Sequence, residues 1–485
     1  MTAFASLLTD EQVERTHEAS LEVLEDVGLL VRLPEARTAF AKHGCRVDAE
    51  SEVVKFPRLV VEEFRRMFPP TFTFRGRDPS YDRTIPQDGP LVVTGSSAPD
   101  VIDPVTGAER RSRSDDIARI AHLINALPGY DVFSVSTLAD DAPPGQFTLA
   151  RLYPALKHCV KPVRITSRDL EDAAAVLKLG VLIAGDEATY RAHPFITHHF
   201  CPVVSPLTMD VASTSMLMFY AEGGWPVYPS IVPNAGLTSP MSLTGTLVQG
   251  NAEFLAAAIL MQMVHSGTPL IYATLPTVAD MRTGAYASGG IECGMLHMAF
   301  AQLARFYNVP CGGYIGLTNA KINDAQSGFE TGMSTVAGVL GGADMLNMGG
   351  LLDALKVFDF AKAVIDNEIA LMLKRLKRGV EFDEKEFAID VMASVGPGGS
   401  FMVQPHTIKR MKTAAYLPSL ADRNARAQWE SKGALDTHAR AMARVREILA
   451  DEGPPLLSPE VEARIRHELP DLVPGKLEMP EGWAA

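Results

Sequence analysis

Cysteine is scarce in this chain and widely scattered: five in 485 residues, at Cys45, Cys159, Cys201, Cys293 and Cys311, with no C-x-x-C pair. That excludes a disulfide framework and a zinc ribbon, and it fits a reducing compartment. Positive charge is also in deficit, since 45 Lys and Arg face 58 Asp and Glu for a formal net charge of −13. A phosphate-binding surface and a nucleic-acid partner are therefore not expected. Acidity of this size serves solubility first, and it also suits a cationic substrate. Long hydrophobic runs are missing too. The longest, such as FLAAAILMQMV at 254–264, fall short of the roughly 20 residues that a bilayer span requires and read as buried helices. The first 20 residues carry acids early and no basic segment ahead of an apolar one, so no secretion signal is expected. These absences point to a cytoplasmic protein with no membrane partner.

Several chemical templates are absent as well. The chain has no Walker A loop, no G-x-S-x-G, no G-x-G-x-x-G after a strand and no H-E-x-x-H. The run Gly396-Pro397-Gly398-Gly399 lacks a following Lys and reads as a tight turn allowing close backbone approach. What is present is enough apolar residue, 47% against 21% charged, to bury a large core and to exclude intrinsic disorder.

The first 130 residues alternate helices and short strands without a regular beat. A helix over 10–27 starts after Thr9 as its N-cap, and GLLVR, a helix over 34–43, SEVVKF and PRLVVEEFRRMF follow. TFTFRGRD and GPLVVTGSSAPDVID read as short strands, and residues 1–130 as an α+β extension that caps the barrel or mediates assembly. From about residue 130 short apolar runs alternate with helical segments, the pattern of a parallel sheet. The strands are DVFSVSTL, KPVRITS, PFITHHFC, WPVYPSI, TPLIYATL, VPCGGYIGL and DMLNMGG, with an eighth expected at 401–404. Helices over 169–184, 209–222, 243–265, 292–306 and 324–341 lie between them. Eight such units predict an α/β fold, a (β/α)8 barrel over 131–420, rather than an open doubly wound sheet. Helices over 355–378 and 421–450 are expected outside the barrel, and residues 421–485 form a terminal helix and Pro-rich tail.

Barrel chemistry sits at the C-terminal ends of strands and in the loops after them. Those positions offer His199, Tyr228, Tyr272, Tyr314, Asn319 and His406 as candidate substrate-binding residues. A quaternary ammonium donates no hydrogen bond and is held by aromatic faces, although tyrosines near strand ends also serve as packing residues. Asp324, Gln326 and Glu330 are the candidate catalytic residues, clustered where a loop enters a helix. Capping alone accounts for Asp324, whereas Glu330 could pair with a cationic substrate. His198-His199-x-Cys201 supplies no metal site: neighbours in a strand face opposite ways, and two ligands do not hold zinc.

Five stretches carry a family resemblance: SPMSLTGTLVQGNAEFLAAAILMQMVHSGTPLIY, GGIECGMLHMAFAQLARFYNVP, TNAKINDAQSGFETGM, VGPGGSFMVQPHTIKRM and PSLADRNARAQWESKGALDTHARA. On these the chain resembles the trimethylamine methyltransferase (MttB-type) superfamily over nearly its whole length, as a member without pyrrolysine. The resemblance implies a barrel that presents a methylated amine to Co(I) of a small corrinoid protein, so cobalamin arrives on a partner and is not resident. It also implies a homo-oligomer. Archaeal trimethylamine enzymes carry pyrrolysine, thought to activate a tertiary amine, and this chain has ordinary residues throughout. A quaternary amine needs no such activation, because loss of its methyl releases a neutral amine. The implied substrate is betaine-like or carnitine-like, with glycine betaine leading. The 310–335 region is the expected neighbourhood of the pyrrolysine position. A non-catalytic sensor of methylated amines on the same barrel, or a methyltransferase for a tertiary amine or another donor, are the competing readings.

Overall fold

The computed structural model describes residues 4–480 and 482–483; the remaining terminal positions of the expected extension and tail lie outside them. Eight parallel strands run in chain order around a ring: β1 (Leu91–Val93), β2 (Phe133–Ser134), β3 (Val163–Ile165) and β4 (Ile196–Phe200), then β5 (Val227–Ile231), β6 (Tyr272–Thr274), β7 (Cys311–Gly313) and β8 (Met345–Asn347). β8 pairs with β1, and a parallel bridge from Val93 to Val132 closes the ring beside β2. A main helix follows each strand: α1 (Ser114–Ala126), α2 (Phe147–His158), α3 (Leu170–Ala184, with a short helix Glu187–Ala192 after it) and α4 (Val211–Glu222), then α5 (Leu243–Val264), α6 (Ile291–Phe306), α7 (Ala325–Gly341) and α8 (Phe360–Arg378). This is the (β/α)8 barrel that the alternation predicts.

Its two ends differ from expectation. The first strand comes from Leu91–Val93, within the segment expected to be an extension, and residues 401–404 hold no strand. Leu91, Val92 and Val93 are fully buried, as a strand covered on both faces must be. Phe401, Met402 and Val403 are 45%, 81% and 75% exposed, on a surface segment outside the completed ring. Consequently α8 is the eighth barrel helix itself, and the following outer helix is shorter than expected, Thr437–Ala450.

The N-terminal segment has two structural roles. Helices Asp10–Glu22, Pro34–Lys42 and Arg58–Arg65 pack on α5. That covering explains why α5 is apolar all round. Helix α5 is long and apolar enough to cross a membrane, yet 83% of its apolar window is buried inside the fold. The antiparallel pair Phe72–Phe74 and Arg83–Ile85 then closes one end of the barrel. Phe72, Phe74 and Ile85 form a core with Leu91, Val93, Tyr228, Ile271 and Met345 from the ring, separate from the core between strands and helices.

Candidate functional site

Arg164 is the middle residue of β3. Val163 and Ile165 on either side join the outer core, so strand alternation sends the arginine into the ring. Its guanidinium is 1% exposed. Nε donates to Ser134 Oγ at 3.0 Å, Nη1 to the Tyr228 hydroxyl at 2.7 Å and Nη2 to the Tyr314 hydroxyl at 3.3 Å. With its amide oxygen turned inward, Asn347 accepts from Nη1 at 2.6 Å and Nη2 at 3.2 Å. Burial opposes the charge, but the Tyr228 and Tyr314 hydroxyls hold Arg164 above the ordinary guanidinium value. Four barrel positions are thus tied by one cation, and among the described residues no carboxylate neutralises it.

A second buried guanidinium lies beside it. Arg151 on α2 is 3% exposed. It donates from Nε to Thr137 O at 3.0 Å, and from Nη2 to Ser97 Oγ at 2.9 Å and Val135 O at 3.4 Å, and among the described residues Nη1 has no acceptor. Burial lowers its pKa to about 10. His199 turns inward from β4, its ring 5.1 Å from that of Tyr228 and 6.4 Å from that of Tyr314. Its Nε2 is buried with no hydrogen-bond partner among the described residues. Burial first, and then the charge of Arg164, hold it well below the ordinary histidine value, so the ring is neutral. Ser96, Ser97, Ser134, Arg151, Arg164 and His199 line a narrow cleft with a cavity volume of only about 10 Å³, room for about one water molecule.

Beside the cleft stand two half-buried tyrosines, and the Arg164 guanidinium lies 5.6 Å over the ring of one of them, Tyr314. The Tyr314 hydroxyl lies 2.5 Å from Ser96 Oγ, and the Tyr314 carbonyl is 3.0 Å from His297 Nε2 on α6. Tyr286, on a hairpin after β6, neighbours Tyr314 and Cys201. Asn319 fixes that hairpin: its Nδ2 donates to Tyr286 O at 2.7 Å and its Oδ1 accepts from Gly289 N at 2.8 Å. Glu330 accepts from Thr318 Oγ1 at 2.6 Å, Asn319 N at 2.8 Å and Gln326 Nε2 at 3.0 Å. A Cβ at Gly289 would sit 2.4 Å from the Glu330 carboxyl, so the hairpin can approach this carboxylate only as glycine. Asp324 caps α7, accepting from Gln326 N at 2.9 Å and Ser327 N at 3.3 Å.

The other named positions lie elsewhere. Tyr272 faces out of the ring, stacked on Phe254 at 3.7 Å with its hydroxyl on Asn251 Oδ1 at 2.8 Å. Tyr228 faces in but lies edge-on to Phe72 at 5.5 Å and Phe74 at 6.2 Å, on the plugged side of Arg164. His406 belongs to the short surface helix Pro405–Arg410, and no hydrogen bond joins it to the mouth. His198 points away from His199, stacked on Tyr220 at 3.6 Å. Among the described residues no group of three His, Cys, Asp or Glu is placed to hold a metal.

A sequence model of the family described as trimethylamine methyltransferase (MTTB) matches residues 2–473. The chain belongs to this family of methyltransferases. It is 34% identical to a glycine betaine methyltransferase of Desulfitobacterium hafniense (strain Y51), over 95% of this chain and 96% of the relative. It is 31% identical to trimethylamine methyltransferases MttB of Desulfitobacterium hafniense (strain DSM 10664 / DCB-2), over 94% of this chain and 92% of the relative, and of Methanosarcina thermophila, over 92% of each.

In this family member Arg164, Arg151, Ser96 and Tyr286 are not among the residues that sequence pattern singles out. A signal existed for Arg164 alone: an arginine inside the apolar strand KPVRITS has to be either at an edge or inside the ring with partners. Arg151 and Tyr286 lie on a helix and a hairpin that carry no motif.

Proposed function

We propose that this methyltransferase moves a methyl group from a quaternary amine of the glycine betaine kind to Co(I) of a separate corrinoid protein. What supports this reading is the neighbourhood of two half-buried tyrosines, Tyr314 and Tyr286, with Asn319 joining the Tyr286 hairpin to the Glu330 carboxylate. Aromatic faces and a carboxylate suit a cation that donates no hydrogen bond. The 34% identity to a protein named for glycine betaine supports the same substrate class. The cleft of about 10 Å³ is far too small for a corrin ring. The loops after β5 and β6 carry exposed Leu237, Met241 and Met281 instead, an apolar rim over which a partner could bring one.

Co(I) on the partner supplies the nucleophile for the methyl carbon. The chain's own work is to hold the ammonium against Tyr314 and Tyr286, exclude water, and leave one N-methyl facing the mouth. Glu330, kept in place by Thr318, Asn319 and Gln326, balances the cation before transfer. The C–N bond breaks with its electron pair staying on nitrogen, so a neutral tertiary amine leaves and no proton has to move. Purified protein incubated with cob(I)alamin and a panel of amines tests this through loss of the Co(I) absorbance. Turnover is expected with glycine betaine and none with trimethylamine. Turnover with trimethylamine alone overturns the leaving-group argument, and binding without turnover leaves a sensor.

A further inference from the structure

We infer that the outward face of α7, together with the surface segment 380–417 that follows α8, is where a second copy of this chain docks through a two-fold interface. Such a pairing does not depend on which amine the enzyme takes.

A helix on the outside of a barrel turns a polar stripe to water. The outer helix Thr437–Ala450 does so, exposing Arg444, Arg446 and Glu447. Helix α7 does not. Its single ionisable residue, Glu330, is held at the mouth by Thr318, Asn319 and Gln326, while its exposed stripe is Phe329, Met333, Val336 and Leu340. Those four recur at helical spacing on one face. Residues 380–417 show the same mismatch more strongly. None of them is buried, yet Val380 and Phe382 are 89% and 87% exposed, and Ile389, Met402, Val403 and Ile408 are exposed too. The segment is tied back to α8 by hydrogen bonds from Arg375 to Ala414 O and from Arg378 to Thr413 O, and to itself by the pair Arg410–Glu386. Ordering a chain costs about 1–2 kcal/mol per residue, and in a single copy little apolar burial offsets it here. The two surfaces meet at Phe4, whose ring centre lies 4.1 Å from Lys377 Nζ of α8 and which abuts Gly342, where α7 ends.

Size, charge and position all select a second copy as the occupant. At about 150 Å² for each fully exposed large side chain, the apolar residues named above present on the order of 1,000 Å². The largest apolar patch on an ordinary monomer is about 300–600 Å², whereas each side of a stable interface buries about 800 Å². Residues 380–417 hold five acids and four bases, a net −1, against −13 for the whole chain. Two such chains repel over most of their surfaces and least over this one. Within the segment, exposed Glu381, Asp383 and Glu384 precede exposed Lys409 and Lys412, so a two-fold axis can set the acidic part of one copy against the basic part of the other. The face also avoids the mouth. Helix α7 runs down the barrel wall to Leu340, and segment 380–417 starts where α8 ends, at the end opposite the loops that follow the strands. A protein working at the mouth could not cover Leu340 and Val380, and a second copy on this wall leaves the mouth open.

Sedimentation velocity on the full chain at micromolar concentration should show a dimer or an assembly built from dimers. Met333→Glu puts a charge at a position already exposed in one copy, and it should weaken self-association by about 30-fold or more, the effect of an interface hot spot. Leu59→Glu, at an exposed position on the N-terminal helix Arg58–Arg65, should leave the assembly unchanged. Hydroxyl-radical oxidation of the unaltered protein reads the same surface without any variant. Met333, Met392, Met402 and Met411 should be protected relative to Met281 at the rim, although all five are exposed in a single copy. A monomer or a trimer overturns the two-fold interface. An assembly in which Met333 and Met402 oxidise as freely as Met281, or one that Met333→Glu leaves intact, overturns it as well, because the copies then meet through another face.

Discussion

The two ends of the barrel are opposites. One is closed by the Phe72–Phe74 and Arg83–Ile85 pair, whose apolar side chains interlock with Leu91, Val93 and Met345. The other is lined by hydroxyls, two guanidiniums and a neutral histidine, several of them with donors to spare. The first arrangement maximises buried apolar contact and should set stability. The second stores polar capacity that a ligand can use, and should set binding. Tyr228 lies at the boundary, its hydroxyl on Arg164 and its ring on the phenylalanines.

The sharpest way to break that division is to swap the readouts. Phe74→Ala should lower unfolding free energy by about 3–5 kcal/mol, with amine affinity of the folded fraction unchanged. Tyr272→Ala belongs in the same class despite its place at a strand end, because its ring stacks on Phe254 outside the ring. Chemical denaturation beside calorimetry checks both, and loss of affinity in the Phe74 variant would join what the comparison separates.

Acid should act next. His198 is lowered to about 3 and His297 to about 4, both by burial, and His199 is lowered further by Arg164. Their folded values lie below the unfolded 6.5, so the stability from keeping them neutral is complete above that pH. It is lost as pH falls toward the folded values, by about 1.4 kcal/mol per histidine per pH unit. Asp344, raised to about 6 by burial, titrates in the opposite sense and offsets one of them below that pH. Urea midpoints between pH 7 and pH 5 should fall; a flat profile contradicts the neutral buried histidines.

Smaller effects belong to the mouth. Tyr314→Ala should weaken glycine betaine by about 0.5–2 kcal/mol through loss of one aromatic face. Asp324→Ala should lower stability by about 1 kcal/mol as a lost N-cap, with little change in turnover of the folded enzyme. A large loss of turnover there would move Asp324 from cap to chemistry.

The alternation of apolar runs and helices made seven of the eight strands legible, together with the loops that carry Asn319, Asp324, Gln326 and Glu330. What it left obscure is parity. Barrel strands are buried on both faces, so their hydrophobicity does not say which residue points inward. In TPLIYATL a shift of one residue decides whether Tyr272 or Ala273 lines the ring, and the answer is Ala273. The same parity puts Arg164 inside. Leu91–Val93 is legible as a short strand within GPLVVTGSSAPDVID, but it follows irregular α+β segments and so reads as part of the extension, whereas Phe401–Val403 is apolar yet exposed, so a run alone does not separate strand from surface.

The closure of the ring has a consequence for biosynthesis. β1 leaves the ribosome early and β8 late, yet the two must pair, so the barrel cannot shut until nearly all of its units have been translated. Contacts this distant in sequence form slowly. Until they do, the hairpin bearing Phe72 and Phe74 has no socket, and the nascent chain shows apolar edges to its surroundings. Chaperone dependence and sensitivity to translation rate should therefore concentrate at the stretch between α7 and α8, just as the last strand emerges.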